Sequence, residues 1–394
     1  MAEIVFAGIA LFLFKCGSRN QLDSIASCRN FRQNYRKAFG HRLPDMDTVS
    51  LIFGSLPEDE LESIKQQLIR QLIEKRVLDK WRFEGDVVVA IDATGIASYD
   101  HEHCPSCLTK TSKRGKKTWF HNVLEAKLVT SNGFSISLCT EWIENPGKEY
   151  DKQDCERKAY ERLAVKLKAA FPRLSICLCA DGLYPNNTFF DTCRQYQWRY
   201  IVTLKEGNLK RLWERIRLVN RESSKGARVK GNQRAKQAHE WINSVDFNGH
   251  THHWIYLEEE TYDGTGEPDK KRFVYLTNIE ITHENADLVS ATGRLRWNIE
   301  NQGFDAQKNH GYNICHKFCR RSYLGMKNFY QCCQIAHLLN QLTELSKSVQ
   351  AMLTGKRTLS FLWQFLLWDM VMGHLDHEAM ERLKIRRVQI QFVT

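Results

Sequence analysis

Proline and long apolar runs are both scarce in this chain of 394 residues. Its seven prolines are too few for extended proline-rich linkers. The apolar run from Ile4 to Phe14 is eleven residues long, whereas a helix that crosses a bilayer needs about 20 residues. The N-terminus also lacks the charged region that opens a secretory signal. We therefore expect a buried helix over 4–14 and no association with a membrane.

The cysteines lack the dense spacing of a disulfide-stabilised protein. Thirteen of them, an odd number, are scattered from Cys16 to Cys333. Free thiols in a reducing compartment fit this distribution best, so we expect a cytoplasmic protein.

Acidic residues are outnumbered by basic ones. The 57 Lys and Arg against 46 Asp and Glu leave a formal net charge of +11. This balance is typical of proteins that bind nucleic acid or another anionic surface, although a basic protein without such a partner remains the alternative. The 42% hydrophobic and 26% charged residues exclude a disordered or fibrous chain.

The core of the chain begins with a strand that is buried on both faces. Val87 to Ile91 is a continuous and mostly β-branched run. Further strands and helices complete the order β-β-β-α-β-α-β, over 119–129, 134–140, 151–170, 176–180, 187–196 and 199–203. Antiparallel strands followed by crossovers to parallel strands are the order of an RNase H-like core. The predicted fold class is α/β, with a mixed sheet flanked by helices.

The remaining segments surround this core. Residues 1–80 predict helices only, either a DNA-binding module of the helix-turn-helix kind or a plain packing domain. Residues 205–236 hold eleven Lys and Arg but three acids, and strand-like runs follow at 252–257 and 272–277. We predict a basic, β-containing insertion and then helices to the C-terminus. The predicted parts are 1–80, 81–204, 205–281, 282–345 and 346–394.

Two aspartates each follow a buried strand directly. Asp92 comes after the first strand of the core and Asp181 after the fourth. If these strands are parallel neighbours, both carboxylates leave the sheet at one edge, and a divalent cation would relieve their repulsion. We then expect the two carboxyl groups to lie about 4–7 Å apart. Two unrelated turn aspartates are the alternative.

A third acid lies on a later helix. Arg296 and Glu300 are four residues apart and share one helix face, which by itself is also typical of a surface ion pair. An apolar stripe of Leu288, Leu295 and Ile299 is expected to pack this helix on the core.

These three segments resemble the bacterial insertion-sequence DDE transposases. That family has an RNase H-like core with Asp at the end of the first strand, Asp after the fourth and Glu on a later helix. One group inserts a β-rich segment before the Glu and has a helix signature of Tyr, Arg, Glu and Lys. Arg296 and Glu300 match this signature, Gly293 and Gln307 stand at the Tyr and Lys positions, and Lys308 is one step further. Phrases at 121–127 and 334–338 resemble an uncharacterised subgroup, and the resemblance covers roughly 85–345.

The resemblance implies DNA cleavage and strand transfer at the ends of an insertion sequence in the bacterial cytoplasm. Asp92, Asp181 and Glu300 would hold two Mg²⁺ or Mn²⁺ ions, and Arg296 would orient Glu300. A homodimer would pair two DNA ends, with the apolar C-terminal helix as its interface. The alternatives are an inactive transposase-derived DNA-binding protein and another RNase H-like nuclease. The basic residues expected to contact double-stranded DNA are Arg296, Lys308, Lys205, Lys210, Arg211, Lys116 and Lys117.

A separate motif, Cys104-Pro105-Ser106-Cys107, has the spacing of half a zinc site. Completing it requires further ligands. The candidates are Cys315, His316 and Cys319 if the fold brings them close, or the local His101 and His103. A loop without metal is the alternative.

Overall fold

The computed structural model describes residues 1–147, 151–230, 233–262, 268–355, 357–385 and 389–393. The N-terminal part is helical, as predicted, with α1 (Ala2–Leu13), α2 (Arg19–Ala26), α3 (Arg29–Phe39), α4 (Met46–Phe53), α5 (Glu58–Glu74) and a short 3₁₀ helix (Asp79–Trp81). Capping explains two of the helix starts, because the side chains of Ser18 and Asp45 accept hydrogen bonds from the backbone N–H groups of Gln21 and Thr48. In the described part of the chain, no helix is long and apolar enough to span a membrane.

The core is an RNase H-like mixed sheet, as predicted. Its elements are β1 (Val87–Tyr99), β2 (Leu108–Thr111), β3 (Lys117–Val129), β4 (Ser135–Ile143), α6 (Glu156–Ala170), β5 (Ile176–Ala180), α7 (Asn187–Tyr196) and β6 (Arg199–Thr203). β1 pairs antiparallel with β3 and parallel with β5, and β5 pairs parallel with β6. β2 and β4 both pair with the other edge of β3.

The core differs from the sequence prediction most clearly at β1, β2 and α6. β1 continues to Tyr99 rather than ending at Ile91, because the long strand β3 pairs with it well beyond the apolar run. β2 was not predicted, since only its pairing with β3 makes this polar segment a strand. Helix α6 begins at Glu156 rather than near residue 151.

The segment 205–281 extends the same sheet. It contains α8 (Lys210–Leu218), β7 (Glu222–Lys230), β8 (Gln233–Phe247), β9 (His250–Tyr262) and β10 (Asp269–Thr277). These four strands pair antiparallel in succession, and β10 pairs with β6. Within the described residues, ten strands form one sheet in the order β2-β3-β1-β5-β6-β10-β9-β8-β7, with β4 beside β3. The predicted antiparallel strands are therefore present, but they continue the central sheet.

The C-terminal part returns to helix, as predicted. It contains α9 (Ala286–Arg294), a π-helix (Ile299–Phe304), α10 (Asp305–Asn309), α11 (Tyr323–Glu344), α12 (Lys347–Met352), α13 (Leu359–Met372) and α14 (His377–Ile385). Helix α11 is buried over most of its length and packs the N-terminal helices against the core, as the contact of Phe329 with the ring of Phe53 illustrates.

Both faces of the central sheet are covered. Val89 and Ile91 of β1 pack with helices α6 and α7, while Val88 and Ala90 pack with α9 and the π-helix. The predicted apolar stripe on this side is wrong at one position, because Leu288 is 45% exposed. The α-helical period ends at Arg294, so the residues that face the sheet are instead Ala286, Val289, Gly293, Ile299 and Phe304.

Candidate active site

The register of the sheet brings Asp92 and Asp181 to one edge. The parallel pairing of β1 with β5 runs through Ala90 opposite Cys179. Asp92 lies two residues further along β1, and Asp181 directly follows the last residue of β5, two residues beyond Cys179. Adjacent strands are about 4.8 Å apart, so the backbones of β1 and β5 lie side by side where their pairing ends. The separation of the two carboxyl groups stays a prediction.

Asp92 lies in an electrostatic cluster with the other two acids. One of its oxygens is 3.4 Å from Nη1 of Arg296, and the other accepts a hydrogen bond from the N–H of Ala93. Burial raises the pKa of Asp92 above its ordinary value, and the nearby charges of Asp181 and Glu300 raise it further, against the opposite effect of Arg296. Asp181 and Glu300 therefore both lie near enough for their charges to act on Asp92.

Glu300 is the second residue of the π-helix. Such a helix has a wider turn than an α-helix and is frequent at functional sites. Buried Ile299 and Phe304 anchor its two ends, while Glu300 is half-buried. The predicted orientation of Glu300 by Arg296 is not observed, because the described ion pair of Arg296 is with Asp92. Among the described residues, the three acids do not bring their oxygens within 4.8 Å of one another as a set.

Asp181 is paired with a lysine from the segment after β6. Nζ of Lys205 lies 3.1 Å from one carboxyl oxygen, and the other oxygen accepts a hydrogen bond from the N–H of Leu183. Lys205 was predicted as a DNA contact, and the structure places it directly at an acid of the site. Two cations, Arg296 and Lys205, thus each hold one of the two aspartates.

A fourth acid borders the site and was missed in the sequence. Glu156, in the first turn of α6, accepts a hydrogen bond of 2.7 Å from the hydroxyl of Tyr184. Burial raises the pKa of Glu156, and the charges of Asp92 and Asp181 add to this effect. The sequence gives little sign of Glu156, because its position depends on where α6 begins. The one signal is its hydrogen-bond partner Tyr184, which lies three residues after Asp181.

Gly293 and Gln307, which stand at the Tyr and Lys positions of the signature, are both tightly packed in this fold. A side chain at Gly293 would collide with the ring of Tyr275, since a Cβ there would lie 2.8 Å from that ring. Gln307 is fully buried and forms hydrogen bonds with Lys127, Gln334 and His337. The structure therefore gives Gln307 a packing position rather than one that could contact DNA.

The other predicted DNA contacts are exposed, apart from Lys308. Lys116 and Lys117 are exposed on the hairpin that joins β2 to β3, and Lys210 and Arg211 are exposed at the start of α8. Lys308 on α10 is half-buried, with Nζ 5.9 Å from the ring of Phe304. Their contact with DNA stays a prediction.

The cysteine motif assembles with histidines, but not with the more distant ligands considered. Cys104 and Cys107 both contact His121 of β3, and the ligand atoms of His103, Cys104 and His121 lie within 4.8 Å of one another. His101 is instead exposed and paired with Asp100, while Cys315 and Cys319 contact Gly95 and Ser50. The sequence missed His121 because its strand pairing, not its spacing, brings it to the cysteines.

The three carboxylates fit a magnesium site by their chemistry, because Mg²⁺ prefers hard oxygen ligands. An RNase H-like sheet with acids where the pairing of two adjacent parallel strands stops is typical of enzymes that process nucleic acids. The model of one family, described as the transposase DDE domain, matches residues 84–339, well over half of the chain. The chain therefore belongs to the DDE transposase family, whose members act on DNA. No curated protein shows a significant match to it.

Proposed function

We propose that the chain is the transposase of a bacterial insertion sequence, which cleaves DNA at the element ends and joins them to a target. The observation that carries this proposal is the parallel register of β1 and β5, which directs Asp92 and Asp181 to one edge. The effect of Glu300 on the pKa of Asp92 supports its place as the third acid. The bacterial cytoplasm suits a chain whose thirteen cysteines are all free thiols.

Asp92, Asp181 and Glu300 would hold the divalent ions, which we take to be two Mg²⁺ or Mn²⁺. Bound ions of this kind activate an attacking oxygen and stabilise the leaving oxygen at a phosphate. The side chains of Arg296 and Lys205 neutralise the aspartates and supply donors for backbone phosphates. Each of these two cations is paired with an aspartate. Each must therefore leave that carboxylate in order to contact a phosphate when DNA enters the site.

The DNA surface of this proposal combines five exposed basic residues with the buried Arg296 and the half-buried Lys308. Phosphate contacts give affinity and position without sequence preference, and they weaken as salt rises. Its members are Lys116, Lys117, Lys205, Lys210, Arg211, Arg296 and Lys308.

A homodimer is the expected assembly, because transposition brings two DNA ends together. Helix α13 supports this with an exposed stripe of Phe361, Phe365, Trp368 and Met372, each between 52% and 64% exposed. Their spacing of four, three and four residues is that of the contact seam between paired helices. The opposite side of α13, with Leu367 and Met370, packs on the N-terminal core.

The test uses a plasmid that carries the gene for this chain with its flanking DNA, which contains the element ends by definition. We expect Mg²⁺-dependent cleavage by the wild type and a loss of orders of magnitude in Glu300→Gln, which keeps the size but removes the charge. Glu284→Gln, at an exposed position just before α9, is the matched control and should cleave normally. Gel shifts should show that all three proteins bind DNA equally.

Three outcomes would contradict the proposal in different ways. Binding without metal-dependent cleavage by the wild type would indicate an inactive, transposase-derived DNA-binding protein. Cleavage without joining to a target would indicate another RNase H-like nuclease. Full cleavage by Glu300→Gln would remove Glu300 from the site.

A further inference from the structure

A compact group of two thiols and two imidazoles lies outside the acidic site. His103, Cys104 and Cys107 belong to the connection between β1 and β2, and His121 belongs to β3. Sγ of Cys104 is 3.7 Å from Sγ of Cys107, and Nε2 of His121 is 3.5 Å and 3.4 Å from the two sulfurs. The ligand atoms of His103, Cys104 and His121 all lie within 4.8 Å of one another.

These distances are those of neighbouring ligands around one zinc ion. With bonds of about 2.3 Å to sulfur and about 2.0–2.1 Å to nitrogen, the ligand atoms of a tetrahedral zinc are roughly 3.3–3.8 Å apart. The three measured separations fall in this range. The distance of 3.7 Å between the two sulfurs far exceeds the length of about 2.05 Å of a disulfide, so both cysteines are free thiols.

The surroundings of His103 point to the same conclusion. Its Nε2 lies 2.8 Å from the carbonyl oxygen of Arg320, which accepts the hydrogen bond, while its Nδ1 is buried without a partner. A metal-ligating histidine typically donates its other N–H to a carbonyl in this way, which fixes the orientation of the ring. Stacking holds both imidazoles, with His103 on Tyr99 at 4.1 Å and His121 on Tyr323 at 3.8 Å.

We infer that His103, Cys104, Cys107 and His121 form a structural Cys₂His₂ zinc site. Two soft thiolates with two imidazoles in a tetrahedral arrangement select zinc among the common divalent ions. Four protein ligands leave no open position for a substrate or water, so the ion has a structural role. The site is separate from the acids of the proposed transposase reaction, and its test does not depend on that reaction.

The position of the site indicates what it stabilises. The ligands lie at the base of the β2–β3 hairpin, whose turn is closed by a hydrogen bond from the backbone N–H of Ser112 to the carbonyl oxygen of Lys116. The hairpin is short, and its exposed basic side chains repel one another. The ion would join the connection between β1 and β2 to β3. Through the hydrogen bond of His103 to Arg320, it would also hold the segment before α11. The exposed basic residues on the hairpin are Lys110, Lys113, Arg114, Lys116 and Lys117.

The direct test is the metal content of the purified full chain, measured by mass spectrometry of the elements after dialysis without added metal. We expect one zinc per chain. Cys104→Ser and His103→Gln should lose it, and Cys315→Ser, an exposed cysteine outside the group, should keep it. A thiol-blocking mercurial should release the zinc from the wild type, which a colour-forming chelator reports even if a variant fails to fold.

A second measurement on the wild type replaces zinc with Co²⁺. Tetrahedral coordination by two thiolates should give the intense visible and near-ultraviolet absorption bands of a cobalt–thiolate site, and Cys107→Ser should abolish them. Folded wild type that contains no zinc and shows no such bands after incubation with Zn²⁺ or Co²⁺ would overturn the inference. A disulfide between Cys104 and Cys107 in the protein as purified under reducing conditions would overturn it as well.

Discussion

At the scale of single residues, the site is defined by the pairing of each aspartate with one cation. Arg296 is nearly buried and Lys205 is largely exposed, so the two pairs differ in strength. Water screens the pair of Lys205 and Asp181, and exposed ion pairs of this kind contribute about 0.2–1 kcal/mol. Lys205 therefore competes only weakly with a metal ion for Asp181, whereas Arg296 is held in place by burial and by stacking on Trp297.

Replacing Lys205 should make metal binding tighter. Lys205→Gln removes the cation that competes for Asp181, and we expect the Mg²⁺ concentration for half-maximal thermal stabilisation to fall by about two- to fivefold. Lys210→Gln, an exposed lysine at the start of α8, serves as the control and should leave it unchanged. Equal metal affinity in both variants would show that the pair with Asp181 does not persist in solution.

The raised pKa of Asp92 predicts a pH dependence of metal binding. Because the folded carboxyl keeps its proton above the ordinary pKa of 3.8, the metal-free protein loses stability as pH rises from 3.8 through the folded pKa. Mg²⁺ binds the ionised form, and at ten times its dissociation constant it stabilises the fold by about 1.4 kcal/mol. The increase in Tm on adding MgCl₂ should therefore be full near pH 8 and vanish as pH falls through the raised pKa.

Thermal melts with and without MgCl₂ across this pH range measure the effect. Asp92→Asn, which cannot ionise, should show no pH-dependent increase in Tm. An increase that is the same for wild type and variant at every pH would mean that the ion binds elsewhere.

At the scale of elements, the π-helix with Glu300 packs closely against β4. A Cβ at Gly303 would lie 2.8 Å from Oγ of Ser135, so the backbone approaches the sheet more closely than any other residue type allows. The hydroxyl of Ser135 has no hydrogen-bond partner in the described structure, which makes it removable at small cost.

Gly303→Ala should push the π-helix away from the sheet. We expect a loss of about 1–3 kcal/mol in the free energy of unfolding and slower DNA cleavage, because Glu300 moves with the helix. Adding Ser135→Ala to Gly303→Ala should restore much of the stability and of the cleavage rate. Ser135→Ala alone should change the stability very little. A double-mutant cycle from denaturant unfolding measures the coupling, and additive effects of the two changes would contradict the close contact.

The elements differ in how far the sequence predicts them. The run Val87 to Ile91 predicts its strand because a strand buried on both faces needs continuous apolar residues. Asp92 and Asp181 could be found because each follows such a run. Glu156 could not be found because its position depends on where α6 begins, and His121 because its position depends on the register of the strands. The π-helix could not be found because it depends on the packing of Gly303. The predicted apolar stripe was wrong at Leu288, because the prediction assumed one continuous α-helix. In the structure α9 ends at Arg294 and a π-helix follows at Ile299.

At the scale of the whole molecule, the exposed stripe on α13 predicts the assembly. Trp368→Glu places a charge in the proposed seam and should shift the protein from dimer to monomer in light scattering coupled to size exclusion. Gln364→Glu, exposed on the same helix but outside the stripe, should remain dimeric. Monomeric wild type at micromolar concentration would leave the stripe without a second copy as its partner and would contradict the predicted homodimer.

The sheet that runs unbroken from β2 to β7 also sets a length scale. β9 has 13 residues, and at about 3.3–3.4 Å per residue it is roughly 40 Å long. Among the described strands, β7 to β9 are joined through β10 and β6 to β5, the strand that Asp181 follows, by continuous backbone pairing. We therefore expect that DNA bound along this segment would be held at a fixed distance from Asp181, and that cleavage would occur at a set distance from the bound site.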